Sequence, residues 1–221
     1  MDLNIQDNNG PLLHFVTFIT NSISRLFYGL KISGIENLET DQPVIFIANH
    51  ASNFDPIWIF GAIPWKIRKK TFAIGKAELM ETPLLPFFLK RLNMVAVERS
   101  GNIMIAVDTA MSLLNNGKNI LIFPEGTRTR TGKMGDFKTG AAQLMLETDA
   151  VIIPIKVKGS FDIYPPGKLP KILGGRMSNA SVQFGKPITL NDFPFKFDPD
   201  STVPPEYHRI SKHFKKVISE M

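Results

Sequence analysis

The sequence predicts an α/β fold with a mixed, centrally parallel sheet flanked by helices. Short apolar runs of the kind found in buried strands recur at 43–48, 71–74, 94–97, 119–123 and 151–157. Between several of them lie segments whose apolar residues return at helical spacing, the alternation of a sheet covered on its faces. The chain has 221 residues, 43% hydrophobic and 21% charged, which suits one domain with a sizeable core and excludes wholesale disorder.

Residues 1–10 are polar and read as a frayed terminus. From Pro11 to Leu30, the residues Leu12, Phe15, Val16, Ile19, Ile23, Leu26, Phe27 and Leu30 recur at helical spacing. Thr17, Thr20, Asn21, Ser24 and Arg25 take the other side, so the spacing predicts an amphipathic helix. This N-terminal helical segment, 1–33, is set apart from an α/β domain over 34–221. Gly34 and Asn37 punctuate a short hairpin-like stretch, and the strand Pro43–Ala48 follows, ending abruptly at Asn49-His50. Asp55-Pro56 is a helix-start pair, Asp as cap and Pro at the first helical position, before Ile57, Trp58, Ile59 and Phe60.

The next two strands, Thr71–Ile74 and Met94–Val97, end at Gly75-Lys76 and Glu98-Arg99. Ser100 caps a helix bearing Ile103, Val107, Met111 and Leu114, stopped at Asn115-Asn116-Gly117. Strand Asn119–Phe123 is broken by Pro124, and a helix around Ala141–Glu147 leads to strand Val151–Val157. A weaker strand follows at Ser181–Phe184. The last helix presents Tyr207, Ile210, Phe214, Val217 and Ile218 on one face, and no internal repeat is visible.

Such sheets carry their sites at the carboxyl ends of the strands. Four of those ends are polar or charged: Asn49-His50, Lys76, Glu98-Arg99 and Glu125–Arg128. His50 and Asp55 are five apart, and a turn between strand and helix can fold the carboxylate back onto the imidazole, fixing its tautomer. The plainer alternative is a loop histidine beside a helix-capping Asp. In Phe123-Pro124-Glu125-Gly126-Thr127-Arg128, Pro and Gly force a tight turn, Gly126 lets a ligand approach the backbone, and Arg128 offers a fork suited to phosphate. A solvated turn is the alternative there.

Taken together, Asn49-His50-x4-Asp55 and Phe123-Pro124-Glu125-Gly126-Thr127-Arg128 resemble the first and third motifs of the glycerolipid acyltransferase family, which includes the 1-acylglycerol-3-phosphate acyltransferases. Val97-Glu98-Arg99 stands at the place of the second motif, without the residue that the family more often carries before its Arg. Ile153-Pro154-Ile155 resembles the fourth, and the likeness runs over roughly residues 40–160. The resemblance implies an acyltransferase-like fold and an acceptor hydroxyl attacking an acyl thioester, either acyl-CoA or acyl carrier protein. His50 is then the base and Asp55 orients it. Arg128, with Arg99 and Lys76, holds the phosphate of the acceptor, while Glu125, Gly126 and Thr127 shape its site. The expected reaction converts 1-acyl-sn-glycerol 3-phosphate to phosphatidic acid. Glycerol 3-phosphate, a larger lysophospholipid or a lyso-aminolipid are the other acceptors compatible with these motifs, and a non-catalytic basic membrane-binding module is the rival outside enzymes.

The residues suit that chemistry. A thiol leaves readily, its pKa being about 8.5, so one positioned base serves without a covalent intermediate. With no Cys and no Gly-x-Ser-x-Gly, neither a thiol nor a serine-elbow nucleophile is expected. Ser52 reads as a turn residue bonding nearby backbone. Backbone N–H groups near Gly126, or at the helix after Asp55, are the expected oxyanion donors. No metal or other cofactor is expected, since His14, His50, His208 and His213 show no ligand spacing and no phosphate-cradling glycine motif occurs. No nucleic-acid motif is visible either.

The net charge is +6, and residues 64–91 alone carry seven basic residues against Glu78 and Glu81, beside Trp65, Phe72, Phe87 and Phe88. Cations among aromatics suit an anionic membrane surface. No unbroken apolar tract of ~20 residues appears, and no secretory signal is recognised. The expectation is peripheral or monotopic attachment at the cytoplasmic face, through this stretch, the N-terminal helix or both. The Phe-rich face of that helix has two possible destinations, the membrane or the domain core.

Overall fold

The protein was analysed as a computed structural model, which describes residues 11–76, 93–97, 103–171, 179–193 and 205–221. Strands β1 (Lys31–Ser33), β2 (Val44–Ala48), β3 (Thr71–Lys76), β4 (Met94–Val97), β5 (Asn119–Ile122), β6 (Val151–Lys158) and β7 (Ser181–Phe184) form one sheet. Their order is β1-β7-β6-β2-β5-β3-β4. β6, β2, β5, β3 and β4 run parallel. β7 lies antiparallel to β6, and β1 parallel to β7. The sheet is therefore mixed with a parallel centre, and β2 sits between β5 and β6. β2 is buried along its whole length, as its unbroken Val-Ile-Phe-Ile-Ala run requires.

Helices cover both faces. Phe46, Ile153 and Ile155 point to one side, where they pack with Trp58, Ile59 and Phe60 of α2 (Phe54–Ala62). Ile45, Ile47 and Ile152 point to the other. There they meet α4 (Ile103–Asn115), α5 (Gly140–Glu147) and α7 (Pro205–Glu220). Short helices α3 (Trp65–Arg68) and α6 (Ser160–Ile163) link strands to loops. Pro154 is accommodated in β6 because the β7 ladder ends beside it. Its carbonyl accepts from Gly185 N–H, and the next bridge joins Ile152 to Ile188.

Two local expectations are corrected. The stretch at Gly34 and Asn37 is no hairpin, because β1 pairs with β7 far along the chain. Gly34, at φ 77°, opens a 3₁₀ turn against the Phe184 carbonyl, where a Cβ would collide. The basic stretch is also less uniform than its charge count suggests. Arg68 is buried, donating to the Phe60 carbonyl and to His14 Nδ1 and lying over the Trp65 ring. Burial holds its pKa below the usual guanidinium range. Lys66 and Lys69 are exposed, whereas 77–92, with Phe87 and Phe88, and Glu98 to Ser100 lie outside the described residues.

α1 (Pro11–Tyr28) lies against α2 with its polar side inward. Thr17, Asn21 and Ser24 are buried on the facing stripe, and Ser24 Oγ accepts from Trp58 Nε1 at 2.8 Å. Gly61 makes the approach possible, since a Cβ there would overlap the Asn21 amide. Phe15 (62% exposed), Phe18 (61%), Ile23 (47%) and Leu26 (72%) face outward. Among the described residues, no helix is long and apolar enough to cross a membrane.

Candidate active site

The loops after β2 and β5 meet at the carboxyl edge of the sheet because those strands are adjacent. Asn49 extends β2 by side-chain bonding. Its amide donates to the Val157 carbonyl at 2.9 Å and accepts from Val157 N–H at 2.8 Å, tying the loop to β6. The chain then turns, and α2 begins at Phe54 with Asn53 in the capping position and no side-chain cap bond. Asp55 is therefore not the cap that the Asp-Pro pair suggests. It lies in the first turn, fully buried, with its carboxylate folded back toward the loop.

Asp55 Oδ2 gathers three donors. His50 Nδ1 lies at 2.9 Å, Ala51 N–H at 2.6 Å and Ser52 N–H at 2.7 Å. The two amides require an oxygen at that point, so Nδ1 carries the hydrogen that faces it, and in the neutral imidazole Nε2 carries a lone pair. Nε2 makes no hydrogen bond among the described residues, and the side chain is 17% exposed. The ring stacks on Phe123 at 4.0 Å between centroids, which fixes its plane. Asp55 Oδ1 is buried with no partner among the described residues. Ser52 Oγ accepts from Phe54 N–H, as a turn serine does, but it also donates to the Tyr164 carbonyl at 2.8 Å.

The second loop clasps the first. Glu125 Oε1 accepts from His50 N–H and Oε2 from Gly135 N–H, both at 2.7 Å, so both oxygens are taken by backbone. Glu125 thus ties the loop that carries His50 to the Gly135 backbone. Thr129 N–H donates to the His50 carbonyl at 2.9 Å. Arg128 Nη1 donates to Asn53 Oδ1 at 2.8 Å, and its other donors make no hydrogen bond among the described residues. Gly126, at φ 73°, completes the turn through its N–H to the Phe123 carbonyl. Thr127 is exposed beside it.

The structure thus brings together His50, Asp55, Glu125, Gly126, Thr127 and Arg128. Lys76 ends β3 at the same edge, with its side chain outside the described residues, and Arg99 lies outside them altogether. One cation escaped the sequence reading. The Lys138 side chain lies across Gly126, where a Cβ would stand 3.0 Å from its Nζ, and it forms no ion pair among the described residues. A lysine twelve residues beyond a glycine has no periodic signal; tertiary bonds from Lys138 N–H to the Pro124 carbonyl and from Ser211 Oγ to the Lys138 carbonyl set it there. No group of metal-ligating side chains occurs among the described residues.

An imidazole held by a buried carboxylate, with a ring nitrogen and neighbouring cations unpaired among the described residues, can serve as a base and offers charge to an anion. The chain belongs to the Acyltransferase family, whose model matches residues 29–158. It is 30% identical over 179 residues to a chloroplastic 1-acyl-sn-glycerol-3-phosphate acyltransferase of Arabidopsis thaliana, covering 79% of this chain and 48% of the relative. It is also 30% identical to a probable 1-acyl-sn-glycerol-3-phosphate acyltransferase of Mycoplasma genitalium, covering 74% of this chain and 64% of the relative. The fold is shared with the crystal structure of the 1-acyl-sn-glycerophosphate acyltransferase from Thermotoga maritima. That match has a TM-score of 0.70 at 24% identity, over 95% of this chain and 78% of that one. The chain spans about half the length of most of the curated relatives it matches.

Proposed function

We propose that the chain is an O-acyltransferase that moves a fatty acyl group from an acyl thioester to 1-acyl-sn-glycerol 3-phosphate, giving phosphatidic acid for phospholipid synthesis. The observation that carries this reading is the His50–Asp55 pair at the sheet edge, with no hydrogen bond on Nε2 among the described residues. Nε2 takes the proton of the acceptor hydroxyl as its oxygen attacks the thioester carbonyl, and Asp55 stabilises the imidazolium. The tetrahedral oxyanion collapses with cleavage of the C–S bond, and the imidazolium returns its proton to the departing thiolate. Oxyanion donors come from the Thr127 and Arg128 N–H groups, which make no hydrogen bond among the described residues. The acceptor phosphate is held by Arg128 and Lys138, joined by Lys76 and Arg99 as the resemblance implies. Glu125 shapes the acceptor site by positioning His50 through its backbone N–H.

Family membership and the activity named for its relatives support the reaction class. The outward apolar face of α1 supports peripheral or monotopic attachment, which we place at the cytoplasmic face, with Phe15, Phe18, Ile23 and Leu26 in the interfacial region and Lys66 and Lys69 toward anionic headgroups. The test is acyl transfer by purified protein from labelled acyl-CoA and acyl carrier protein to a panel of acceptors. 1-Acylglycerol 3-phosphate is expected to be the preferred acceptor, and His50→Ala to lower kcat by about 10²–10⁴-fold with the fold intact. Near wild-type turnover by that variant would remove His50 as the base.

A further inference from the structure

A cavity of about 540 Å³ lies beside the site, between the loops that follow β5 and β6. These strands flank β2, so the cavity belongs to the same edge as His50. Each wall is bonded next to the histidine. Arg130 on one wall follows Thr129, whose N–H donates to the His50 carbonyl. On the other side, the Tyr164 carbonyl accepts from Ser52 Oγ and leads directly into Pro165-Pro166.

Arg130, Lys168 and Lys171 line the cavity against a single carboxylate, Asp162, and none of the three cations forms an ion pair among the described residues. Phe161 adds an aromatic surface, its edge set against Gly132, where a Cβ would stand 3.0 Å away. The wall behind Lys168 and Lys171 is stiff. Two prolines limit its backbone, Gly167 takes φ 78°, Lys168 N–H bonds the Pro165 carbonyl, and Lys171 N–H bonds the Ile163 carbonyl. The Lys171 carbonyl also accepts from Tyr28 Oη, joining the wall to the end of α1.

Resting on the acyltransferase reading, we infer that this cavity binds the phosphorylated adenosine end of coenzyme A when acyl-CoA is the donor. With the acceptor phosphate assigned to Arg128 and Lys138, a second cluster of cations calls for a second anion. A concave, small-molecule-sized space with an aromatic wall and several unpaired cations suits a nucleotide bearing three phosphates. An acidic carrier protein needs instead an open basic face across which a helix can lie. The thioester then reaches His50 along the seam between the Thr129–Arg130 and Tyr164–Pro165 segments.

The test joins direct binding with a comparison of donors. Coenzyme A and pantetheine are titrated onto the full chain at two salt concentrations. Coenzyme A is expected to bind at least tenfold more tightly, with affinity falling as salt rises. Lys168→Glu combined with Lys171→Glu, whose side chains make no bond among the described residues, is expected to retain the wild-type melting temperature and lose at least tenfold in coenzyme A affinity. In turnover the same variant should raise KM for acyl-CoA at least tenfold and leave transfer from an acyl-N-acetylcysteamine thioester, which lacks the nucleotide, within twofold. Adenosine 3′,5′-bisphosphate should compete with acyl-CoA. Equal affinity for coenzyme A and pantetheine, an equal loss with both thioesters, or a loss confined to acyl carrier protein would each overturn the assignment. Absence of transfer from every thioester by the wild-type protein would instead overturn the acyltransferase reading, and binding of coenzyme A is scored independently of it.

Discussion

Asp55→Asn separates the charge of the Asp55 carboxylate from its geometry. Oδ2 accepts from His50 Nδ1, Ala51 N–H and Ser52 N–H, while Oδ1 has no partner among the described residues. An asparagine amide can place its oxygen where the three donors converge and its nitrogen where the unpartnered oxygen was. The two backbone amides hold that orientation, because the reversed amide would point N–H groups at N–H groups. The Nδ1–H tautomer therefore survives, and only the negative charge is lost. A carboxylate and an imidazolium about 4 Å apart attract by ~4 kcal/mol at an effective dielectric of ~20. With the proton about half transferred in the transition state, about 2 kcal/mol is lost, or roughly a 30-fold fall in kcat. Full transfer sets an upper bound near 10³-fold. Stability should stay within about 2 kcal/mol of the wild type, whereas Asp55→Ala strands both amides at ~1–3 kcal/mol each. Urea denaturation and steady-state kinetics on both variants check these values. Unchanged kcat in the Asn variant would show that the charge is not used. A folded Asn variant slowed well beyond 10³-fold would show that the amides do not pin the tautomer.

Glu125→Gln presents a carboxamide N–H to one of two backbone N–H groups. It should lose ~2–4 kcal/mol in urea denaturation and slow turnover by displacing His50; an unaltered denaturation midpoint would contradict the clamp. Phe18→Asp with Leu26→Asp, on the outward side of α1, should leave thermal stability within about 0.5 kcal/mol. It should lower sedimentation with anionic vesicles by more than about tenfold, and undiminished vesicle binding would count against an interfacial α1. Burial, with Lys216 nearby, pushes the His213 imidazole below its ordinary value of 6.5. The unfolded chain thus binds its proton more readily, so the His213 contribution to stability is complete above about pH 6.5 and declines as pH falls toward the folded pKa. His213→Gln should flatten that part of the stability–pH curve; an unchanged slope would exclude the assignment.

Strands and helices were legible because each follows from a local pattern. Val44–Ala48 is apolar without interruption and becomes the buried central strand, and the apolar positions of α7 recur at helical spacing and line the core. The misreadings arose where a partner far along the chain decided the outcome. β1 has no pairing signal of its own and goes to β7, about 150 residues away. Asp55-Pro56 has the composition of a cap, but the carboxylate is drawn into the loop by three donors that local sequence does not display. The resemblance marks Glu125 as a site residue, and its clamp on the His50 backbone, invisible in local sequence, forms where β5 pairs with β2.

The α/β class, the helical spacing of α1 and the two motifs at strand ends follow from sequence alone, because short-range periodicity and residue chemistry carry that information. The direction in which α1 faces is set by contacts with the rest of the fold. Its polar stripe and its apolar stripe have the same period, and the choice between them rests on Gly61 and Trp58 of a neighbouring helix. The same holds for the grip of Asp55, Glu125 and Thr129 on His50. Those residues lie up to 79 positions away from it or from one another, and they converge only where parallel strands end side by side.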